Sequence, residues 1–148
     1  MSLDILAIAA HPDDIEQTCG GALIRMAEVG YRTGALDLTA GDMGTRGTPE
    51  QRMAEAEVAA RHLRLHWRGN LRFPDARLEN TLSARMTLAV KIRELRPRVV
   101  ILPYWQGRHP EWLPMYNDEV PVIAIDGRKA FKYKVSMDDF LKKLAARA

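Results

Sequence analysis

Short apolar runs alternate with longer amphipathic stretches along the first two thirds of the chain. Runs rich in aliphatic and β-branched residues, bounded by turn-forming positions, predict four strands. These strands are Leu3 to Ala9, Tyr31 to Thr39, Leu65 to Trp67 and Val99 to Leu102. Apolar residues at helical spacing predict a helix between each strand and the next. The alternation predicts an α/β fold, a Rossmann-like and mostly parallel sheet with helices on both faces.

Polar residues, glycine and proline mark the helix boundaries. The first helix is predicted from about Ile15 to Val29, and Gly30 is its C-terminal stop. The sequence Thr48-Pro49-Glu50-Gln51 combines a capping box with proline at the first helical position and begins the second helix. Asn80 or Thr81 can cap the third helix. Gly69 to Arg77 predicts a loop, because glycine, asparagine and proline break regular structure there.

The pattern changes after the fourth strand. Val120 to Asp126 and Ala130 to Val135 are two strand-like runs joined through Asp126-Gly127, a dipeptide favoured in tight hairpin turns. They predict an antiparallel hairpin, and Ser136 is placed to cap a last helix. We therefore divide the chain into an α/β domain over residues 1–112 and a ββα tail over residues 117–148, packed on the same domain.

Composition narrows the class of protein. With 148 residues of which 47% are hydrophobic, the chain can bury one core of ordinary size. The 22 basic residues are scattered among 19 acidic ones, which argues against a nucleic-acid partner. No apolar stretch approaches the ~18 residues of a membrane span, and the N-terminus lacks a signal-peptide pattern, so we expect a cytoplasmic protein. The single Cys19 excludes an internal disulfide.

Candidate metal ligands follow two of the predicted strands. His11, Asp13 and Asp14 come directly after the first strand, and His109 comes shortly after the fourth. If these strands are neighbours, the four side chains converge at the carboxyl edge of the sheet, where open α/β folds bind ligands. Imidazole and carboxylate together suit Zn²⁺. The structural alternatives stay open, because an Asp-Asp pair before a helix is a common N-cap and His109 can be an ordinary loop histidine.

Several segments between residues 3 and 110 form a recognisable set, and one of them is the specific A-H-P-D-D-x-E signature. They are Ala10 to Glu16, Gly20-Gly21, Leu36 to Thr39, Gly44 to Ala56, Pro74-Asp75 and Pro103 to Pro110. With these segments the chain resembles a known family, the zinc-dependent N-acetylglucosaminyl deacetylases of the LmbE and PIG-L type. The resemblance implies a hydrolase in which zinc-bound water attacks the acetamide carbonyl of a small GlcNAc-type amino sugar.

The same resemblance implies a role for each candidate. It makes His11 and Asp14 zinc ligands, Asp13 the general base, and His109 the group that stabilises the tetrahedral intermediate. Arg52 occupies the position of a family arginine that contacts substrate, and a solvated helix residue is the alternative interpretation of Arg52.

The chain also departs from the family pattern. Trp112 stands where the family has its third zinc-ligating histidine, and indole offers no lone pair to a metal. Glu111, Asp118, Glu119 or a residue from a second chain could take its place, and no motif supports any of them. Residues 117–144 resemble the C-terminal half of a glutaredoxin-like thioredoxin fold.

Two main interpretations follow from these departures. One is a deacetylase, impaired to the extent that the zinc site is incomplete. The other is an inactive truncated or chimeric α/β domain with weak or no metal binding. A redox module ranks last, because Cys19 is the only thiol. A strand edge left exposed by the short tail favours a homodimer.

Overall fold

The computed structural model describes residues 2–103, 122–125 and 128–132, together with Asp139 and Lys142. Residues 2–103 form four strands that alternate with three helices, and a hairpin follows. In chain order the elements are β1 (Ile5–Ala9), α1 (Asp14–Glu28), β2 (Thr33–Thr39), α2 (Pro49–His62), β3 (Trp67–Phe73), α3 (Leu82–Leu95), β4 (Val99–Ile101), β5 (Val122–Ile125) and β6 (Arg128–Lys132). None of the helices in these ranges is long and apolar enough to cross a membrane.

The six strands form one sheet in the order β3-β2-β1-β4-β5-β6. The four strands from β3 to β4 are parallel, and β5 and β6 continue the sheet in antiparallel fashion. This confirms the mostly parallel α/β fold. The chain moves to one side from β1 to β2 and β3, and then to the other side with β4. That reversal opens a crevice at the carboxyl ends of β1 and β4, which are neighbours as predicted.

The core lies on both faces of β1, whose five residues are all buried. On one face Ile5 and Ala7 pack with Ile15 and Leu23 of α1. On the other face Leu6 and Ile8 pack with Leu36 of β2 and with Leu95 of α3. Because successive side chains of a strand point to opposite faces, the sheet needs a helix layer on each side, and α1 and α3 supply them.

The predicted helix boundaries agree with the structure. Gly30 adopts a φ of 94° just beyond α1, a conformation that glycine reaches without strain. Both capping-box bonds of α2 form, since the Thr48 hydroxyl accepts from the Gln51 amide and the Gln51 side chain accepts from the Thr48 amide. Of the two candidates for α3, Thr81 is the cap, and its hydroxyl accepts from the Ala84 amide at 3.1 Å.

The prediction for the third strand was wrong in its bounds. The strand was placed at Leu65 to Trp67 and a loop at Gly69 to Arg77, whereas β3 runs from Trp67 to Phe73. Glycine and asparagine are tolerated here because β3 lies at the edge of the sheet. A Cβ at position 69 would lie 2.5 Å from Cζ2 of Trp67, so the indole ring uses the space that Gly69 leaves.

The predicted hairpin is confirmed, and it extends the sheet at β4. Val100 of β4 pairs with Ala124 of β5, and Ile123 of β5 pairs with Phe131 of β6. Asp139 and Lys142 are helical. The turn at Asp126-Gly127 and the cap at Ser136 lie outside the described residues, and the division at residues 112 and 117 stays a prediction.

Candidate active site

The signature segment forms a tight turn between β1 and α1. The Asp14 amide donates to the His11 carbonyl at 3.3 Å, and the His11 amide donates to Oδ2 of Asp14 at 3.0 Å. The same Oδ2 lies 3.3 Å from Nδ1 of His11. The backbone of His11 and the side chain of Asp14 therefore hold each other, and the turn presents one imidazole nitrogen and one carboxylate oxygen side by side.

A second carboxylate contacts the other side of the imidazole. Oδ1 of Asp75, in the loop after β3, lies 2.9 Å from Nε2 of His11. Asp75 also accepts from the amides of Met43 and Ala76. Burial by itself raises the pKa of Asp75, but the hydrogen bonds from His11 and from these two amides outweigh it and hold the pKa below its usual value. Asp75 is thus an ionised partner that fixes the orientation of the ring.

Sequence reasoning assigned no role to Asp75. The sequence feature that could have indicated a role is the position of Asp75 directly after β3, a strand parallel to β1. The carboxyl ends of parallel strands meet at one edge of the sheet. That signal could be used only if β3 was known to reach Phe73, and the predicted loop from Gly69 concealed it.

Asp13 does not have the capping role that was its structural alternative. It occupies the N-cap position of α1, yet its side chain makes no capping hydrogen bond within the described part of the chain. The side chain is exposed and lines a cavity of about 240 Å³. The other residues lining this cavity are Pro12, Arg46, Gly47, Arg52 and Glu55. Among the described residues Asp13 is therefore an exposed carboxylate with no capping bond that lines a concave surface.

Arg52 reaches the same cavity from the first turn of α2. Its Nη2 donates to the Arg46 carbonyl at 3.3 Å, while its buried Nε has no hydrogen-bond partner among the described residues. Gly41 and Gly44 make room for the side chain, since a Cβ at position 44 would lie 2.5 Å from Nη2. Arg52 is half-buried beside the cavity, and its contact with a substrate stays a prediction.

Behind the signature turn lies a buried ionic network centred on Arg68, which sequence reasoning also missed. Its side chain, 9% exposed, donates from Nε and Nη2 to the two oxygens of Asp37, each at 3.0 Å, and from Nη1 to Glu16. Burial raises the pKa of Asp37 to about 6, because desolvation of the carboxylate outweighs the two bonds from Arg68. The available signal was Asp37, the one charged residue of the mostly buried strand β2.

The structure thus brings four of the five predicted site residues together. His11, Asp13, Asp14 and Arg52 lie at the carboxyl edge of the sheet, with Asp75 added to them. His109, and with it Trp112, lies outside the described residues. Within the described ranges there is no group of three or more histidine, cysteine or acidic side chains arranged to hold a metal ion.

Comparison with known proteins places the chain in a family. Residues 6–114 match the PIG-L family of GlcNAc-PI de-N-acetylases, and the chain belongs to it. It is 44% identical over 73 residues to the uncharacterized deacetylase YaiS of Escherichia coli, a match that covers 49% of this chain and 39% of that protein. It is 30% identical over 117 residues to a diacetylchitobiose deacetylase of Thermococcus kodakarensis, covering 74% of this chain and 42% of that protein. The chain spans about two fifths of the length of these relatives.

Solved structures share the fold. The conserved protein TT1542 of Thermus thermophilus is 51% identical with a TM-score of 0.68, covering 74% of this chain and 50% of that one. The N,N'-diacetylchitobiose deacetylase of Pyrococcus horikoshii is 26% identical with a TM-score of 0.65, covering 72% and 44%. GalB of Pseudomonas putida, a 4-carboxy-2-hydroxymuconate hydratase, is 25% identical with a TM-score of 0.57, covering 67% and 45%. The fold therefore serves both deacetylation and hydration.

Proposed function

We propose that the chain is a zinc-dependent N-deacetylase domain that hydrolyses the acetamide of a small GlcNAc-type amino sugar. Family membership and relatives described as deacetylases support the reaction class. The observation that carries the proposal is geometric: a histidine–carboxylate pair, His11 and Asp14, lies beside a free carboxylate, Asp13, that lines a cavity with Arg52.

The pair His11 and Asp14 fits zinc in chemistry and in spacing. Two ligand atoms at ~2.0–2.1 Å from a tetrahedral Zn²⁺ are separated by roughly 3.3 Å. Nδ1 of His11 and Oδ2 of Asp14 are 3.3 Å apart and are not hydrogen-bonded to each other. We assign Asp75 as the partner that orients the ring through Nε2, as carboxylates commonly do for metal-binding histidines. When bound, the metal would supply an acidified water and polarise the amide carbonyl.

The remaining roles follow from what each side chain can do. The Asp13 side chain makes no capping hydrogen bond within the described residues, and it takes the proton of the attacking water. Arg52, which lines the cavity, donates from its guanidinium to an oxygen of the substrate and orients it there. His109, in protonated form, stabilises the negative charge that develops on the amide oxygen.

The alternative is a catalytically inactive truncated or chimeric domain. Trp112 favours it, because two protein ligands hold zinc far more weakly than three. On this interpretation His11 and Asp14 survive as structural residues of the turn.

Zinc titration of the metal-free protein by calorimetry separates the two functions. We expect saturable binding that Asp14→Ala abolishes and that Asp42→Ala, which changes an exposed carboxylate of a neighbouring loop, leaves unchanged. Release of free amine from N,N'-diacetylchitobiose then tests turnover. The absence of saturable binding would contradict the proposal. Activity confined to Trp112→His would identify the tryptophan as the group that disables the site.

Further expectations from the sequence stay predictions. They concern the tail at residues 117–144 as a glutaredoxin-like unit, a homodimer formed at a strand edge, and a cytoplasmic location. Size-exclusion chromatography with light scattering tests the second of these directly.

A further inference from the structure

Every donor of the Arg68 guanidinium is used. Besides the bonds to Asp37 and Glu16, Nη2 donates to the Pro12 carbonyl at 3.0 Å and Nη1 donates to the Ala56 carbonyl at 3.1 Å. A guanidinium has five N–H groups in a rigid plane, and here all five have acceptors. One side chain of β3 therefore joins β2, α1, α2 and the signature turn.

The contact with Pro12 acts on the turn itself. The Pro12 carbonyl belongs to the same planar peptide group as the Asp13 amide, so fixing its oxygen fixes the direction in which the chain enters Asp13. Pro12 is buried, and a buried carbonyl without a partner would be costly. Arg68 supplies that partner from across the sheet, 56 residues away in sequence.

The other four bonds make this anchor stiff. Asp37 holds the guanidinium by two parallel bonds, which define its plane as well as its position. Glu16 binds the guanidinium from the first turn of α1, the helix that follows the signature turn. Lysine could not reproduce this arrangement, since an ammonium group has three donors and no fixed plane.

We propose that Arg68 is a positioning residue for deacetylation: it holds the Pro12–Asp13 peptide so that the Asp13 carboxylate faces the cavity instead of capping α1. The proposal rests on the function proposed for Asp13. Arg68 does not line the cavity that Asp13 and Arg52 line; it lines a second cavity beside Pro12 and Asp37, and it reaches Asp13 through its bond to the Pro12 carbonyl.

The test compares Arg68→Met and Arg68→Lys with Leu95→Ala as a control. Leu95 is buried in the opposite face of the sheet, so its truncation destabilises the protein without touching the turn. We expect Arg68→Met to lower kcat by about 100-fold, the cost of a misplaced catalytic group. KM should change little, because Arg68 lies outside the cavity that Asp13 and Arg52 line. The kcat of Arg68→Lys should be nearly as low as that of Arg68→Met. Added methylguanidine should restore part of the lost kcat to Arg68→Met.

Amide hydrogen exchange supplies a readout independent of activity. In Arg68→Met the amides of Asp14, Gln17 and Thr39, which bond to carbonyls of residues 10–13, should exchange faster relative to the Tyr31 amide. In Leu95→Ala this ratio should stay at its wild-type value. If Arg68→Met does not fold, Arg68→Lys replaces it in the exchange measurement.

The outcomes separate this inference from the proposed function. A loss of kcat no larger than in Leu95→Ala, or unchanged exchange in the turn, would overturn the positioning role. If the wild type neither binds zinc nor releases amine, the proposed function fails. Faster exchange in the turn of the Arg68 variants would then still support Arg68 as its anchor, and unchanged exchange would reject it.

Discussion

His11 lies between two carboxylates, and the two contacts differ in kind. Asp14 is held by the turn and lies 3.3 Å from Nδ1 without a hydrogen bond between the two side chains, whereas Asp75 lies within hydrogen-bonding distance of Nε2 at 2.9 Å. An imidazole that is hydrogen-bonded through one nitrogen leaves the other available to a metal. On the proposed function, Nδ1 is therefore the side of the ring that would bind the metal, and Nε2 is the side that Asp75 orients.

Removing the orienting carboxylate tests this division. Asp75→Asn should weaken zinc binding by about 10- to 100-fold, because the ring loses the charged partner that fixes its tautomer. Glu79→Gln, an exposed change in the same loop, is the matched control and should leave the affinity unchanged. Calorimetric titration of both variants provides the measurement, and equal affinities would show that Asp75 has no part in metal binding.

The raised pKa of Asp37 makes the stability of the folded protein depend on pH. Its pKa is raised from the usual 3.8 to about 6, so between these values the folded state holds a proton that the unfolded state has released. The contribution of Asp37 to stability is therefore full below about pH 4 and falls as the pH rises towards 6.

Urea unfolding over this range measures the effect. The difference in unfolding free energy between wild type and Asp37→Asn should decrease by about 3 kcal/mol from acid to neutral pH. Asp42→Asn, at an exposed aspartate, should show no such trend. A pH-independent difference for Asp37→Asn would mean that the folded and unfolded pKa values are equal.

At the scale of single elements, local patterns predicted what local interactions determine. The capping box at Thr48 and the stop at Gly30 involve residues close in sequence, and both formed as predicted. The extent of β3 was mispredicted although the contact is local, because glycine was taken to end the strand and the sequence pattern does not show that the Trp67 ring lies over Gly69. The Arg68 network could not be predicted either, since its partners Asp37 and Glu16 are 31 and 52 residues away.

Two glycines offer a matched test of the claim that the Trp67 ring fills the space beside Gly69 in β3. A Cβ at Gly69 would meet the Trp67 ring at 2.5 Å, whereas a Cβ at Gly21, within α1, would meet nothing within 4 Å. Gly69→Ala should therefore lower stability by about 1–3 kcal/mol through overpacking. Gly21→Ala should raise it by roughly 0.5–1 kcal/mol, because alanine is favoured in a helix. Urea unfolding compares them, and a neutral Gly69→Ala would show that the ring has other space available.

At the scale of the whole molecule, the order of the strands decides where the chemistry can lie. Because β1 is central and β4 lies beside it, the segment after β4 begins at the edge of the sheet that carries His11 and Asp14. The sequence predicted that β1 and β4 are neighbours, because candidate metal ligands follow both strands. It matched Pro74-Asp75 to the family but did not place Asp75 beside His11, because that required the bounds of β3. The hairpin covers the other side of β4, so it supports the strand that leads to His109.

Because the hairpin shares the sheet, we expect the tail to unfold with the α/β domain as one cooperative unit, and a proline tests this expectation. Ala124 of β5 pairs with Val100 of β4, and Ala124→Pro removes a backbone donor from the hairpin at this position. If the tail packs on the same domain, wild type should unfold in one calorimetric transition, and Ala124→Pro should lower its Tm without splitting it. Leu78→Pro, in the exposed loop before α3, is the control and should shift the Tm less. Two separate transitions in the wild type would instead mean that residues 117–148 fold as a unit of their own.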